Sequence, residues 1–205
     1  MSNFHKPVRR PSDVIELMGG SGDPAELSAL AHDTATALLH RVREASDPAI
    51  VDRVIAYADV HGIDDVAELW ADASADSLPG ALWRIYLLRH SVAGNPESAG
   101  LRFRRGLDVD VVGHAMVGAG AAPTPADVTE LATVILKGAF VGDFAAALER
   151  SAAFARVMAV GANDLATGEP DDVRREQEAA LAASFGHLAD ELTHAAPLWR
   201  GGHLR

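Results

Sequence analysis

The sequence predicts an all-α protein, either a single-domain helical bundle or an orthogonal helical array, with about eight helices. Of its 205 residues 48% are hydrophobic but only 5% are aromatic, so the core must be built mainly from Ala, Leu and Val, which favours closely packed helices. Several prolines follow helix-capping residues, as is typical of helix starts. Behind these starts the apolar residues recur at helical spacing.

Two helices are predicted at the start of the chain, beginning at Asp23 and Asp47, each of which is followed by proline. The first has an apolar face as far as about Ala45, and the second ends at Gly62. A short helix around Trp70 follows. The apolar positions behind these assignments are Leu27, Leu30, Leu38 and Val42, then Val51, Val54, Ile55 and Ala58, then Val66 and Leu69.

The segment Ser77–His90, SLPGALWRIYLLRH, predicts a helix that ends at Gly94 and is apolar nearly all round. Such a helix is expected to be central and buried. On a helical wheel Arg89 points towards the apolar face and Arg84 points roughly opposite. Because a guanidinium near a core must be paired or reach water, we expect the acidic stretch from residue 64 to residue 76 to pair with these arginines.

The chain after Gly94 predicts a polar helix that follows Pro96 and carries three arginines, Arg102, Arg104 and Arg105. Val109–Val112 has the pattern of a strand, although one strand makes no sheet. A glycine-bearing connector then leads to Pro123.

Three helices are predicted in the last third of the chain. The first begins at Thr124, which has capping-box spacing to Asp127, and ends at Gly138. A longer helix starts at Asp143, and the last runs from about Asp171 to Ala196. Their apolar stripes are Val128, Leu131, Ala132 and Ile135, then Phe144, Leu148, Ala152, Ala155 and Ala159, then Leu181, Phe185, Leu188 and Leu192.

The length of the chain favours one domain, which we place at residues 12–199 between disordered tails at 1–11 and 200–205. The chain has no cysteine, which fits a reducing cytoplasm, and it lacks an apolar run of the roughly 20 residues that a membrane span needs. A formal net charge of −11 disfavours binding to nucleic acid and to anionic membranes. We therefore predict a cytoplasmic protein.

Trp83, Arg84, Tyr86 and Arg89 are the candidate site residues. Arginine and tryptophan are frequent at interfaces, so an arginine that the fold leaves unpaired would bind an anionic ligand or an acidic residue of a partner. Structural pairing of both arginines is the competing expectation. No catalytic residue, metal ligand or cofactor is predicted.

One alternative function is a metal-dependent enzyme of the helical-bundle type. His187, Glu191 and His194 lie on one face of the last predicted helix, and Glu-x-x-His is a spacing found in carboxylate-bridged metal sites. That face lies roughly 120° from the apolar stripe of the same helix, whereas bundle metal sites project inward. A solvated His/acid face is therefore the expected outcome.

Another alternative is a transcription regulator. Residues 51–86 run helix, short helix, connector, helix, which resembles the DNA-binding unit of TetR-like regulators. Against this, Trp70 falls where two close-packed helices want a small residue, and acidic residues outnumber basic ones from Ile50 to His90. Phosphate contact needs basic charge.

The segments Leu78–Arg89 and Ile135–Arg150 resemble a family of uncharacterised actinobacterial proteins of similar length that carry an LPGALWRxYxLR segment. The resemblance covers roughly residues 50–160 and implies no activity. Some members bear an automatic label as an RNA polymerase beta subunit, which this chain cannot be, because that subunit is far larger and contains sheets.

The leading hypothesis is a non-catalytic protein–protein interaction or scaffold protein that forms a homo-oligomer or binds a protein partner. It rests on abundant helix-packing surface without convergent chemistry.

Overall fold

The structure is a computed structural model, and it describes residues 24–44, 49–50, 53, 56, 69–109 and 123–204. Every regular element in these ranges is a helix, and none is a strand. The predicted all-α fold class is therefore confirmed. None of the described helices is long and apolar enough to cross a membrane.

Six helices are described from end to end, and residues 69–71 are helical as well. We number the six in chain order. They are α1 (Pro24–Glu44), α2 (Leu78–Gly94), α3 (Pro96–Val109), α4 (Pro125–Val141), α5 (Phe144–Gly168) and α6 (Asp172–Arg200).

Helix starts follow from local capping. The Thr124 hydroxyl accepts a hydrogen bond from the Asp127 amide while the Asp127 carboxylate accepts one from the Thr124 amide, so the predicted capping box is present. The Asp143 side chain caps α5 through the amide of Ala145. The Asn95 side-chain oxygen accepts from the amide of Ser98 at 3.2 Å. Side chains that satisfy free amides in this way set where a helix begins.

Helix α2 is central, as the sequence predicts, because it contacts each of the other five described helices. Leu82, Ile85, Leu88 and Val92 are at most 2% exposed. The core continues through side chains of all six helices. The limits predicted for a single domain at residues 12–199 stay a prediction.

Helices α3 and α5 cross at close range because two glycines meet at the crossing. A Cβ atom on Gly161 would overlap the carbonyl oxygen of Arg102, and a Cβ atom on Gly106 would overlap that of Val157. Beside this crossing the rings of Phe103 and Phe154 pack with centroids 4.9 Å apart. The backbones can come this close only because neither glycine has a side chain.

Helices α5 and α6 form the most extensive helix pair of the described chain. The two helices are buried differently. Side chains of α5 are buried from Phe144 to Ala166, whereas those of α6 are buried only from Phe185 to Ala196. The first half of α6 is fixed to α3 by a two-pronged ion pair in which Arg102 donates to both carboxylate oxygens of Glu178 at 2.8 and 2.6 Å.

Three predicted boundaries differ from the structure. Val109 is the last residue of α3 and not the start of a strand. Helix α4 continues through Gly138 to Val141, since a glycine inside a helix costs only about 1 kcal/mol relative to alanine. Helix α6 continues past Ala196, with Pro197 inside its last turns.

Residues 201–204, which fall within the tail predicted at 200–205, lie against the last helix. Arg200 is helical, and residues 201–204 close on the helix, with the amide of His203 donating to the carbonyl of Leu198 at 2.8 Å. Leu204 is 9% exposed and belongs to the core cluster. This buried leucine holds residues 201–204 against the core.

Several predictions fall outside the described residues. These are the tail at 1–11, the caps Asp23 and Asp47, the helix end at Gly62, and the connector between Val109 and Pro123.

Candidate functional site

The predicted site lies on α2, and the turn before this helix sets its start. The Ser77 hydroxyl accepts a hydrogen bond from the amide of Gly80 at 3.2 Å and donates to the carbonyl of Ser74 at 2.7 Å. A Cβ atom on Gly80 would overlap that same carbonyl oxygen. The turn therefore lies directly against the first turn of α2.

Arg84 is a paired residue. Its Nε and one Nη donate to the two carboxylate oxygens of Glu191 on α6 at 2.7 and 2.8 Å. Its other Nη donates to the carbonyl oxygens of Gly80 at 3.0 Å and Ala73 at 3.3 Å. The side chains of the pair are only 16% and 20% exposed. Arg84 thereby joins α2, the preceding turn and α6.

The partner of Arg84 is not the one that we expected. The sequence placed it in the acidic stretch from residue 64 to residue 76, of which residues 69–76 are described. Asp76 instead lies 3.6 Å from the imidazole of His194. Glu191 reaches Arg84 because α6, which is distant in the sequence, packs beside the start of α2.

The hydrogen bond from Arg84 holds the pKa of Glu191 below its ordinary value, against partial burial, which raises it. The charge of Arg84 and that of His187 act in the same direction as the hydrogen bond. Glu191 is therefore a fixed carboxylate that is already neutralised by a cation.

Arg89 is buried, at 8% exposed. Its Nε donates to the hydroxyl of Thr133 on α4 at 3.5 Å. The wheel prediction that this side chain points towards the core is confirmed. A residue this deeply enclosed cannot reach a ligand at the surface without a rearrangement of the α2–α4 contact.

Trp83, Tyr86 and His90 form a row of rings along α2, in which Trp83 is partly buried against the core cluster, Tyr86 is partly buried and His90 is exposed. The Trp83 and Tyr86 ring centroids are 5.6 Å apart and inclined by 24°. Tyr86 and His90 are 5.6 Å apart and inclined by 23°. Leu87 is 38% exposed. The structure thus separates the four predicted site residues, with two in this row of rings and two arginines directed elsewhere.

Sequence reasoning did not include His90 or Leu87 in the site. The available signal was their spacing, since residues three or four apart share a helix face. Trp83 to Tyr86 and Tyr86 to His90 have this spacing.

The three side chains proposed to share a metal ion have different partners. Both oxygens of Glu191 accept hydrogen bonds from Arg84, His187 lies 3.5 Å from Glu191, and His194 faces Asp76. No group of three His, Cys, Asp or Glu side chains in the described ranges is placed to hold a metal ion. A guanidinium already occupies the position that a cation would need.

The proposed DNA-reading segment can be followed from residue 69 onward. Trp70 is 4% exposed and donates through its indole to the hydroxyl of Thr34 on α1 at 3.0 Å. The following helix, α2, directs Arg84 to Glu191 and buries Arg89. These two arginines are therefore held where they cannot contact phosphate.

Comparison of the chain with known protein families, with curated proteins and with solved structures found no match.

Proposed function

We propose that this chain is a cytoplasmic helical protein that works by binding other protein chains, as an interaction or scaffold protein, without catalysis of its own. One observation carries the proposal, namely the outer face of α2. The helix at the centre of the fold leaves an aromatic and apolar face, with Trp83, Tyr86, Leu87 and His90, at least partly open to solvent.

The composition of this face supports the proposal. Interface cores are depleted in charged residues and enriched in tyrosine, tryptophan and phenylalanine. Trp83 and Tyr86 supply rigid contact area, because their rings are already stacked and lose little freedom when a partner binds.

The proposal is also supported by three arginines of the described chain that form two-pronged ion pairs within the chain. Arg84, Arg102 and Arg200 each bind both oxygens of one glutamate, which are Glu191, Glu178 and Glu149 in that order. Their charges serve intrachain geometry, which leaves apolar contact as the main resource for recognition on α2.

The two alternative functions have less support. A DNA reader near residues 63–90 would need arginines directed outward, and a metal centre at His187, Glu191 and His194 would have to displace Arg84. The resemblance to the uncharacterised actinobacterial family adds no function to this comparison.

The proposal is tested by partner capture followed by reconstitution. Tagged wild-type protein and Leu87→Glu are used as bait in extract of the source cells, and each captured protein, including an untagged copy of the chain, is then purified and remixed with the bait. We expect at least one partner that binds wild type in the purified mixture and binds the variant more weakly. If no captured protein binds on remixing, the proposal is wrong.

A further inference from the structure

Four positions define what we call the outer seam of α2, namely Trp83, Leu87, His90 and Gly94. At about 100° per residue they lie within roughly 60° of one another on the helix surface. Leu87, His90 and Gly94 are exposed, and Trp83 is partly buried. Ile85 and Val92, which are at most 1% exposed, lie on the opposite side of the helix.

The spacing of the outer seam is that of a helix-packing stripe. Its members are four, three and four residues apart, which is the alternation that places residues along the contact line between two helices. The seam ends on a glycine at which an added Cβ atom would meet nothing within 4 Å. A second helix could therefore approach the backbone closely at Gly94.

The distribution of charge indicates which helix can pack against the outer seam. The chain has a formal net charge of −11, and each of the other five described helices carries Asp or Glu, whereas α2 carries neither. The outer seam contains no Asp, Glu, Lys or Arg. Two copies of so acidic a chain repel each other elsewhere, and this face allows them to approach without pairing like charges.

We propose that the outer seam of α2 packs against the same seam of a second copy of this chain across a two-fold axis. In such a contact each residue near the axis meets its own counterpart, so a charged residue there would repel itself, whereas leucine, glycine and stacked aromatic rings do not. The inference rests on the proposed function and names its partner and its surface.

The test measures the dimer dissociation constant by analytical ultracentrifugation for wild type, Leu87→Glu and Leu101→Glu. Leu101 is the matched control because it is exposed to a similar extent, 41% against 38%, but lies on α3. We expect a wild-type dimer, a rise of at least about tenfold in the dissociation constant for Leu87→Glu because two carboxylates are brought together, and little change for Leu101→Glu. Circular dichroism verifies that both variants fold.

A second measurement locates the contact. The chain has no cysteine, so Leu87→Cys and Leu101→Cys each carry one thiol, and a short bis-maleimide linker can join two chains only where the thiols lie close together. We expect a covalent dimer with Leu87→Cys and far less with Leu101→Cys.

The outcomes separate the inference from the proposed function. A wild-type dimer that responds equally to both glutamate variants, or that cross-links equally through both cysteines, overturns the outer seam as the contact. A wild-type monomer at all concentrations overturns self-association. In either case a different protein that binds wild type on remixing would leave the proposed function in place.

Discussion

Arg84 and Glu191 are 107 residues apart in the sequence, and their two-pronged pair links α2 to α6. Removing two charges from water is costly, and a pair of this kind offsets that cost only when its geometry is good and its remaining donors are satisfied. Here the guanidinium also donates to the carbonyls of Ala73 and Gly80. The pair therefore determines how α6 sits beside the start of α2.

Replacing Glu191 by glutamine tests this link. In Glu191→Gln one charged acceptor is lost and Arg84 stays partly buried, so we expect the free energy of unfolding to fall by about 1–3 kcal/mol. Urea denaturation followed by circular dichroism measures it. Glu176→Gln is the matched control, because Glu176 is exposed on the same helix, and it should change stability by less than about 0.5 kcal/mol. Equal losses in both variants would contradict this role for the pair.

The lowered pKa of Glu191 predicts that the contribution of this residue to stability depends on pH. The folded-state pKa of Glu191 lies below its ordinary value, so its contribution is fully present above the unfolded-state pKa, about 4.3, and is lost as pH falls through the folded-state pKa. The stability difference between wild type and Glu191→Gln should therefore shrink on acidification below about pH 4. A difference that stays constant would show that ionisation of Glu191 is not involved.

For single residues, the sequence predicted correctly that Arg84 is paired but placed the partner in the wrong segment, the acidic stretch from residue 64 to residue 76. The rule that a buried charge needs a partner applies to the residue alone, whereas the identity of the partner depends on how distant helices pack. For the same reason the solvent exposure of His90 became clear only once the neighbours of α2 had been placed.

Helices α3 to α6 begin where the sequence predicted, whereas helix ends were less predictable. The caps at Asn95, Thr124 and Asp143 bond to amides two or three residues away, so the signal lies within a short segment. Helix ends depend on tertiary packing as well, and α4 continues through Gly138.

The close crossing of α3 and α5 predicts that alanine is tolerated differently at a glycine in the crossing and at a glycine outside it. Gly161→Ala would place a methyl group against the backbone of Arg102, so we expect a loss of at least about 2 kcal/mol in the free energy of unfolding. Gly186→Ala, in α6, meets nothing within 4 Å and should stabilise the protein by roughly 0.5–1 kcal/mol. Urea denaturation distinguishes the two. Similar effects of both changes would mean that the crossing is loose enough to absorb a methyl group.

At the scale of the described molecule, burial differs between α5 and the two halves of α6, and the sequence offered little indication of this difference. Its periodicity identified an apolar stripe on the last helix but not which half of that helix would be covered. Which half of α6 is buried depends on how α5 and the other helices pack against it, and long-range packing sets this. The fold class could be predicted because composition and periodicity determine it, whereas the order of packing could not.

Uneven burial predicts uneven protection of backbone amides along α6. Residues 185–196 carry all the buried side chains of this helix, so their amides should exchange with solvent about one to two orders of magnitude more slowly than those of residues 177–184. Hydrogen–deuterium exchange followed by mass spectrometry measures both segments, and α5, which is buried along its length, serves as the internal reference.

Glu178→Gln should speed exchange in residues 177–184 because it weakens the pair with Arg102, whereas Glu191→Gln should leave that segment unchanged. Uniform protection along α6 would contradict this distribution of stability.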